Sequence, residues 1–267
     1  MKIRTAVIPV AGKGTRFLPA TKQTPKELLP IINKPMIHYA VEEAVLSGIE
    51  QIIFVTSSGK SSIEDYFDRN LELEEFLERN NKLDLAKNVR DIGQMIDIVT
   101  VRQKEQLGLG HAINCASSLI SKEPFAVILG DDLCLNDEPV TKQLIKVMEK
   151  NNGASVVGVM EVPKTETNKY GIIDGVGLEN DNKTYRMNRM VEKPEPSSAP
   201  TNLATPGRYI FEPEIFDYLN SIKRGVGGEY QLTDAINAMA KDRNVLAHIF
   251  EGDRFDTGSI HGYLEAT

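Results

Sequence analysis

The stretch Thr5-Ala6-Val7-Ile8-Pro9-Val10-Ala11 runs directly into Gly12-Lys13-Gly14-Thr15-Arg16-Phe17-Leu18-Pro19, and Pro25-Lys26-Glu27-Leu28-Leu29-Pro30 follows. A short apolar run ended by glycines reads as a buried strand opening into a loop. Glycines let backbone N–H groups approach a phosphate closely, and Arg16 and Lys26 supply charge that the backbone lacks. A nucleoside triphosphate is the ligand this order suggests. The spacing excludes a Walker loop, which needs four residues between its glycine and a Gly-Lys-Ser/Thr, and a dinucleotide fingerprint, which needs a third glycine where Phe17 stands. Taken alone, the loop could still be a glycine-rich turn with ordinary surface cations, so the rest of the chain has to decide.

Outward from this stretch, Val- and Ile-rich runs recur at residues 6–10, 52–56, 96–101, 126–129 and 155–160, separated by amphipathic segments. That alternation predicts βαβ units feeding a mostly parallel sheet. Ile37, Ala40, Val41, Ala44 and Val45 share one helical face, with Gly48 as a stop signal, and Ser61 with Glu64 has capping-box spacing. Residues 71–92 are charged and helical in character, with Leu73, Phe76 and Leu77 as a narrow stripe. They read as a helical excursion packed on its own domain rather than a partner-binding arm. Further helices are expected over 108–120 and 231–240. The Pro/Ser-rich stretch 194–206 reads as a loop inside one fold, because apolar character resumes at Arg208-Tyr209-Ile210-Phe211.

A chain of 267 residues can bury a sizeable core. Its formal net charge of −7 argues against a nucleic-acid or anionic-membrane partner, so positive charge must be gathered locally around a small anionic substrate. The two cysteines, Cys115 and Cys134, lack metal or redox spacing, which points to a reduced cytoplasm. The N-terminal apolar run is too short for a signal segment or a membrane span. The four histidines, His38, His111, His248 and His261, are scattered, and none is expected to be catalytic.

Carboxylates appear where a buried strand should end. Gly130-Asp131-Asp132 closes an apolar run, and the carboxyl edge of an open α/β sheet is where ligands bind. One or two acids suffice for Mg²⁺ when a substrate supplies phosphate oxygens; the alternative is a turn or a helix cap. Phe255-Asp256-Thr257-Gly258-Ser259 offers a second acid. An aspartic protease would need two acids in equivalent settings of an all-β chain, so Asp256 is read as the distant partner of Asp131 on one metal. Gln103, with a donor and an acceptor, precedes Gly108-Leu109-Gly110-His111-Ala112 and suits the edge of a nucleobase. Tyr170-Gly171 offers a tight turn, and Glu192-Lys193-Pro194 a carboxylate for sugar hydroxyls with an ammonium for phosphate.

Gly-x-Gly-Thr-Arg-x-x-Pro, Pro-Lys-Glu-Leu-Leu-Pro, Gly-Leu-Gly-His-Ala, Gly-Asp-Asp, Glu-Lys-Pro and Phe-Asp-Thr-Gly, in this order, resemble the sugar-1-phosphate nucleotidylyltransferases. The resemblance runs from residue 3 to the end and includes Gly-Gly-Glu-Tyr-Gln-Leu-Thr-Asp-Ala-Ile and Phe-Asp-Thr-Gly-Ser-x-x-Gly-Tyr-Leu-Glu-Ala. It implies an α/β, Rossmann-like nucleotidyltransferase fold with a mixed, mostly parallel central sheet flanked by helices. A single domain over 1–267 is expected, with 1–130 mainly nucleotide-binding and 131–267 mainly sugar-phosphate-binding.

The implied reaction is Mg²⁺-dependent transfer of UMP from UTP to α-D-glucose 1-phosphate, giving UDP-glucose and pyrophosphate, in a cytoplasmic homo-oligomer (dimer or tetramer) without nucleic-acid or membrane partners. A thymidylyltransferase on the same sugar phosphate and a non-catalytic sugar-nucleotide-binding regulatory subunit are the alternatives. By resemblance, Ala11, Gly12, Gly14, Glu27, Gln103 and Gly108 lie toward the nucleotide. Arg16, Lys26 and Lys193 neutralise phosphates, Gly130, Gly171 and Glu192 face the sugar, and Asp131 and Asp256 carry the metal. Ile260-His261 departs from the expected lysine followed by an apolar residue, which puts a phosphate contact there in doubt. Ala266-Thr267 falls just inside an expected terminal helix.

Overall fold

In the computed structural model, which describes residues 2–267, Thr5–Pro9 is a central strand with Ala6, Val7 and Ile8 fully buried. Its side chains alternate between two core layers, as the pleat requires: Val7 joins Ile53, Val127 and Val157 on one face, and Ala6 and Ile8 join Ile52, Ile128 and Val156 on the other. A strand apolar on both faces needs cover on both faces. Met36–Leu46 covers one with Ile37, Ala40, Val41 and Ala44, and Leu232–Asp242 covers the other with Ala235, Ile236 and Met239.

Gln51–Thr56 and Phe125–Ile128 pair in parallel with Thr5–Pro9 on either side, and Asp97–Arg102 extends the parallel set. Beyond Phe125–Ile128 the pattern changes. Arg208–Phe211 pairs antiparallel with both Phe125–Ile128 and Ser155–Glu161, while Val245–Ile249 runs parallel to Ser155–Glu161. The hairpin of Gly171–Leu178 and Asp181–Glu192 joins through Val245–Ile249, and its short connection permits only antiparallel pairing. Leu203–Thr205, inside the stretch read as a loop, pairs with Gly171–Leu178 and Ser155–Glu161. Among the described residues the result is one mixed sheet of ten strands with flanking helices, whose parallel pairings concentrate in the first half.

Three local expectations need correction. The 71–92 excursion is two helices, Leu71–Arg79 and Leu83–Ile92, separated where Asn81 takes a φ of 57°. Of the Leu73–Phe76–Leu77 stripe only Leu77 turns inward; Leu73 and Phe76 stay exposed, and Glu74 is buried beside Leu77 between Arg69, at 2.6 Å, and Arg90, at 3.0 Å. The capping box does not form: Ser61–Phe67 starts at the serine itself, so Lys60 occupies the N-cap position and no side chain caps the helix. The helix expected over 108–120 is confined to Leu109–Asn114. Among the described residues, no helix is long and apolar enough to cross a membrane.

A separate two-stranded ribbon positions the site. Asp132–Leu135 pairs antiparallel with Asp253–Asp256, in a register that sets Asp256 opposite Asp132. The following helix, Ile260–Ala266, folds back on the glycine loop: Tyr263 donates its hydroxyl to the carbonyl of Pro30 at 2.5 Å and meets the Phe17 ring edge-on.

Candidate active site

The chain leaves the Thr5–Pro9 strand at the carboxyl edge of the parallel sheet and crosses it as the Ala11–Gly14 loop. Three 3₁₀ turns follow instead of a helix: Thr15–Phe17, Ala20–Lys22 and Lys26–Leu28. They deliver Arg16 and Lys26 to one place, so anion binding here rests on side-chain charge more than on a helix N-terminus. Lys26 Nζ lies 2.5 Å from Asp131 Oδ2, and the Arg16 guanidinium donates to the Gly258 carbonyl at 3.2 Å.

Asp131 and Asp256, far apart in sequence, converge. A Cβ built on Gly258 would sit 2.7 Å from Asp131 Oδ2 and 3.2 Å from Asp256 Oδ1, so both carboxylates flank one small space that only a glycine leaves open. The turn is tied down by the Asp131 carbonyl, which accepts from Thr257 Oγ1 at 2.8 Å and Gly258 N at 3.1 Å. Burial alone would raise the Asp131 carboxyl, but the Lys26 ammonium and then Arg16 outweigh it and hold Asp131 below its ordinary value. Burial likewise opposes charge on Lys26, and Asp131 with Glu27 overcomes it to raise that ammonium.

Arg254 is the residue that sequence reading missed here. It reaches Asp132 Oδ1 through Nε at 2.5 Å, donates to the Tyr170 hydroxyl at 2.9 Å and stands 3.9 Å from Asp256 Oδ1. The signal was available: residues two apart on a strand share a face, so Arg254 had to point with Asp256. Asp132 is pushed up to about 7, chiefly by burial and against the pull of Arg254, with the neighbouring Asp131 adding to the rise.

Two cavities that share Leu109 and Glu229 in their linings lie here, and the larger of them holds this centre. The sugar-side cavity, about 800 Å³, is lined by Arg16, Asp131, Gly171, Glu192, Lys193, Arg254 and Asp256. Glu192 Oε2 accepts from Thr233 Oγ1 at 2.6 Å, and the Lys193 side chain is 61% exposed. Gly130 stands behind this cavity, and its missing side chain makes room for Ile37 Cδ1, 2.9 Å from where a Cβ would be. Gly130 does not itself line the cavity, and packing alone requires a glycine there. His261, at the position of departure, is exposed at the rim of the cavity.

The base-side cavity, about 290 Å³, brings together Ala11, Gly12, Gln103 and Gly108, with Gln106 and Glu229 added by the fold. Gly108 has a φ of 95°, and a Cβ there would lie 2.7 Å from Glu229 Cβ, so both conformation and space demand glycine. Gln106 Nε2 donates to the Ala11 carbonyl at 2.6 Å. Gly14 lies deeper in the loop, where its carbonyl accepts from Thr21 Oγ1 at 2.7 Å. Glu27 lines neither cavity. It is 2% exposed and its Oε2 holds Lys60 Nζ at 2.6 Å, with burial the larger influence on both groups, raising Glu27 and lowering Lys60.

Adjoining the base-side cavity is a vestibule of about 750 Å³ lined by Lys13, Lys22, Lys60, Arg102 and Lys104 with no carboxylate. Glu27 already neutralises Lys60, so Lys13, Lys22, Arg102 and Lys104 are what make this a local concentration of positive charge in a chain of net charge −7.

A cavity lined by two acids and several cations, sharing Leu109 and Glu229 with a smaller one lined by glycines and glutamines, suits nucleotide transfer, and the comparisons agree. The nucleotidyl transferase family matches residues 5–267. The chain is 53% identical over 266 residues to a UTP–glucose-1-phosphate uridylyltransferase of Staphylococcus haemolyticus, covering 100% of this chain and 91% of that one. A crystal structure of UDP-glucose pyrophosphorylase complexed with UDP-glucose superposes with TM-score 0.90 at 45% identity, covering 99% of this chain and 97% of that one. A UTP-bound UGPase from Acinetobacter baumannii gives TM-score 0.89 at 41% identity, with 99% and 92% covered. By site, fold and full-length similarity, this chain belongs to the nucleotidyl transferase family.

Proposed function

We propose that this chain transfers UMP from UTP to α-D-glucose 1-phosphate, forming UDP-glucose and pyrophosphate. The observation that carries the reading is the convergence of Asp131 and Asp256 in the sugar-side cavity, with Lys26 and Arg16 against them and the base-side cavity sharing Leu109 and Glu229 with it. The names of the full-length relatives, UTP–glucose-1-phosphate uridylyltransferases, support the choice of substrates.

A phosphate oxygen of glucose 1-phosphate attacks the α-phosphorus of UTP. The new P–O bond forms as the bond to the β-phosphate's bridging oxygen breaks, and pyrophosphate leaves with that electron pair. Both reactants are polyanions, so the protein's work is alignment and charge neutralisation without a covalent nucleophile. Arg16 and Lys26 face the triphosphate and Lys193 the sugar phosphate. Glu192 orients glucose hydroxyls from its bond to Thr233, and Gln103 with Gly108 holds uracil. The cations of the vestibule give UTP a positive approach.

Two hard oxygen donors around one small space, in a site that would also receive phosphates, fit Mg²⁺. Asp131 and Asp256 would hold it, and its contribution when bound is to withdraw charge from phosphate oxygens. In this reading residues 1–130 supply mainly the nucleotide half and 131–267 mainly the sugar-phosphate half. A cytoplasmic setting is supported by the free thiols of Cys115 and Cys134, and a homo-oligomer by the exposed Leu71, Phe76, Leu83 and Leu85.

Pyrophosphate release, measured with UTP, dTTP and CTP each crossed against several sugar 1-phosphates with and without Mg²⁺, tests the proposal. UTP with glucose 1-phosphate and Mg²⁺ should give the highest kcat/KM. A different preferred pair would overturn it.

A further inference from the structure

The primary amide of Gln103 is a donor at one end and an acceptor at the other, and its surroundings decide which end meets the base-side cavity. Its Nε2 lies 3.1 Å from the Gly108 carbonyl oxygen and 3.0 Å from His111 Nδ1. A carbonyl oxygen can only accept, so the end facing Gly108 is the NH₂ group. The second N–H is directed at His111 Nδ1, which accepts and thereby leaves the imidazole proton on Nε2. Among the described residues, Gln103 Oε1 has no protein partner, and Gln103 lines the base-side cavity.

His111 is itself held in place. It lies in the helix Leu109–Asn114, its ring stacks on Tyr230 at 6.2 Å between centroids, and the Tyr230 backbone clamps the preceding turn. Tyr230 N donates to the Leu107 carbonyl at 2.7 Å, and the Tyr230 carbonyl accepts from Gly110 N at 2.9 Å. An acceptor that cannot drift therefore stands behind the amide.

We propose that His111 is a specificity-determining positioning residue: by accepting from Gln103 Nε2 it keeps the amide oxygen turned to the cavity, selecting bases that carry an N–H at N3. This rests on the reading that Gln103 faces the base of the nucleotide. Uracil and thymine both present that N–H. Cytosine presents a lone pair there, which would face the lone pairs of Oε1. Without the histidine acceptor, only Gly108 opposes rotation of the amide, and the discrimination weakens.

The test is kcat/KM of the full-length enzyme for UTP, dTTP and CTP at fixed glucose 1-phosphate, in wild type, His111→Phe and His111→Asn. Phenylalanine keeps an aromatic ring against Tyr230 and removes the acceptor; asparagine offers Oδ1 close to where Nδ1 was. His111→Phe should lower the UTP/CTP ratio about tenfold, mainly through KM for UTP, with the UTP/dTTP ratio unchanged. His111→Asn should restore most of the UTP/CTP ratio. If the phenylalanine variant does not fold, His111→Ala reads the same ratios. A selective wild type whose UTP/CTP ratio survives loss of the acceptor overturns the inference alone, as does an equal loss for all three nucleotides. A wild type indifferent between UTP and CTP overturns the base reading and the inference with it.

Discussion

Lys193 has a φ of 45°, in the left-handed region that a residue with a Cβ enters at a cost of about 1 kcal/mol or more. Its side chain is 61% exposed, and Glu192 lies 3.9 Å away. Packing does not explain a lysine in that conformation; the proposed contact with the sugar phosphate would account for the ammonium. Lys193→Gly should relax the backbone and so offset the roughly 0.4–1 kcal/mol that glycine gives to the unfolded chain. The urea midpoint should then stay near wild type, while kcat/KM for glucose 1-phosphate falls on the order of 10²–10³. Retained activity in that variant would take the ammonium out of sugar-phosphate binding. Asp131→Asn and Asp256→Asn remove charge without changing volume much. Each should lower turnover by on the order of 10² or more and raise the Mg²⁺ concentration needed for half-maximal rate. Initial rates across a Mg²⁺ titration decide it, and an unchanged curve removes that residue from the metal site.

Arg208 opens the strand Arg208–Phe211 at 1% exposure, and it shows how elements are fastened around the acids. Its guanidinium meets Glu43 Oε2 at 2.9 Å and donates to the carbonyls of Leu129 at 3.1 Å and Asp132 at 2.5 Å, on either side of Asp131. Glu43, from the helix Met36–Leu46, also accepts from the backbone N–H and hydroxyl of Thr141 at the start of Val140–Lys150. One buried pair thus ties two helices and a strand to the turn that carries Asp131. Arg208→Met strands the Glu43 carboxylate and should cost about 3–5 kcal/mol, whereas Arg208→Met with Glu43→Leu should cost less than that single change. Urea denaturation of the cycle checks this, and additive losses would refute it. The helix Met36–Leu46 was legible because its apolar residues repeat on one face. Arg208, Glu43 and Glu74 were not, because a charged residue buried by a partner from elsewhere in the chain looks in a sequence like a solvated one.

At the scale of the whole molecule, what could be read was mostly local; the one distant pairing read, Asp131 with Asp256, rested on side-chain chemistry and not on periodicity. The glycine loop, the cations after it and the acid ending a buried strand follow from residues close in sequence, and the fold sets Arg16, Lys26 and Asp131 together. The antiparallel half of the sheet, the ribbon that sets Asp256 opposite Asp132, and the cations from separate loops around the vestibule depend on contacts between distant segments, which periodicity does not encode. That assembly has a thermodynamic signature. A ligand that binds only the folded chain at roughly 100 times its Kd adds about 2.7 kcal/mol, which for a chain of this size is a Tm rise on the order of 5–10 °C. Mg²⁺ alone should shift Tm little, because two carboxylates provide only part of its coordination sphere. UTP in chelator should give a partial rise through Gln103, Arg16 and the vestibule cations, and UTP with Mg²⁺ the full one. Asp131→Asn should keep the first increment and lose the second. Scanning calorimetry over these three conditions and the ligand-free protein, for wild type and Asp131→Asn, measures the coupling directly. A full UTP shift in chelator would mean that nucleotide binding does not draw on the metal, and that Asp131 and Asp256 serve some other purpose than holding one.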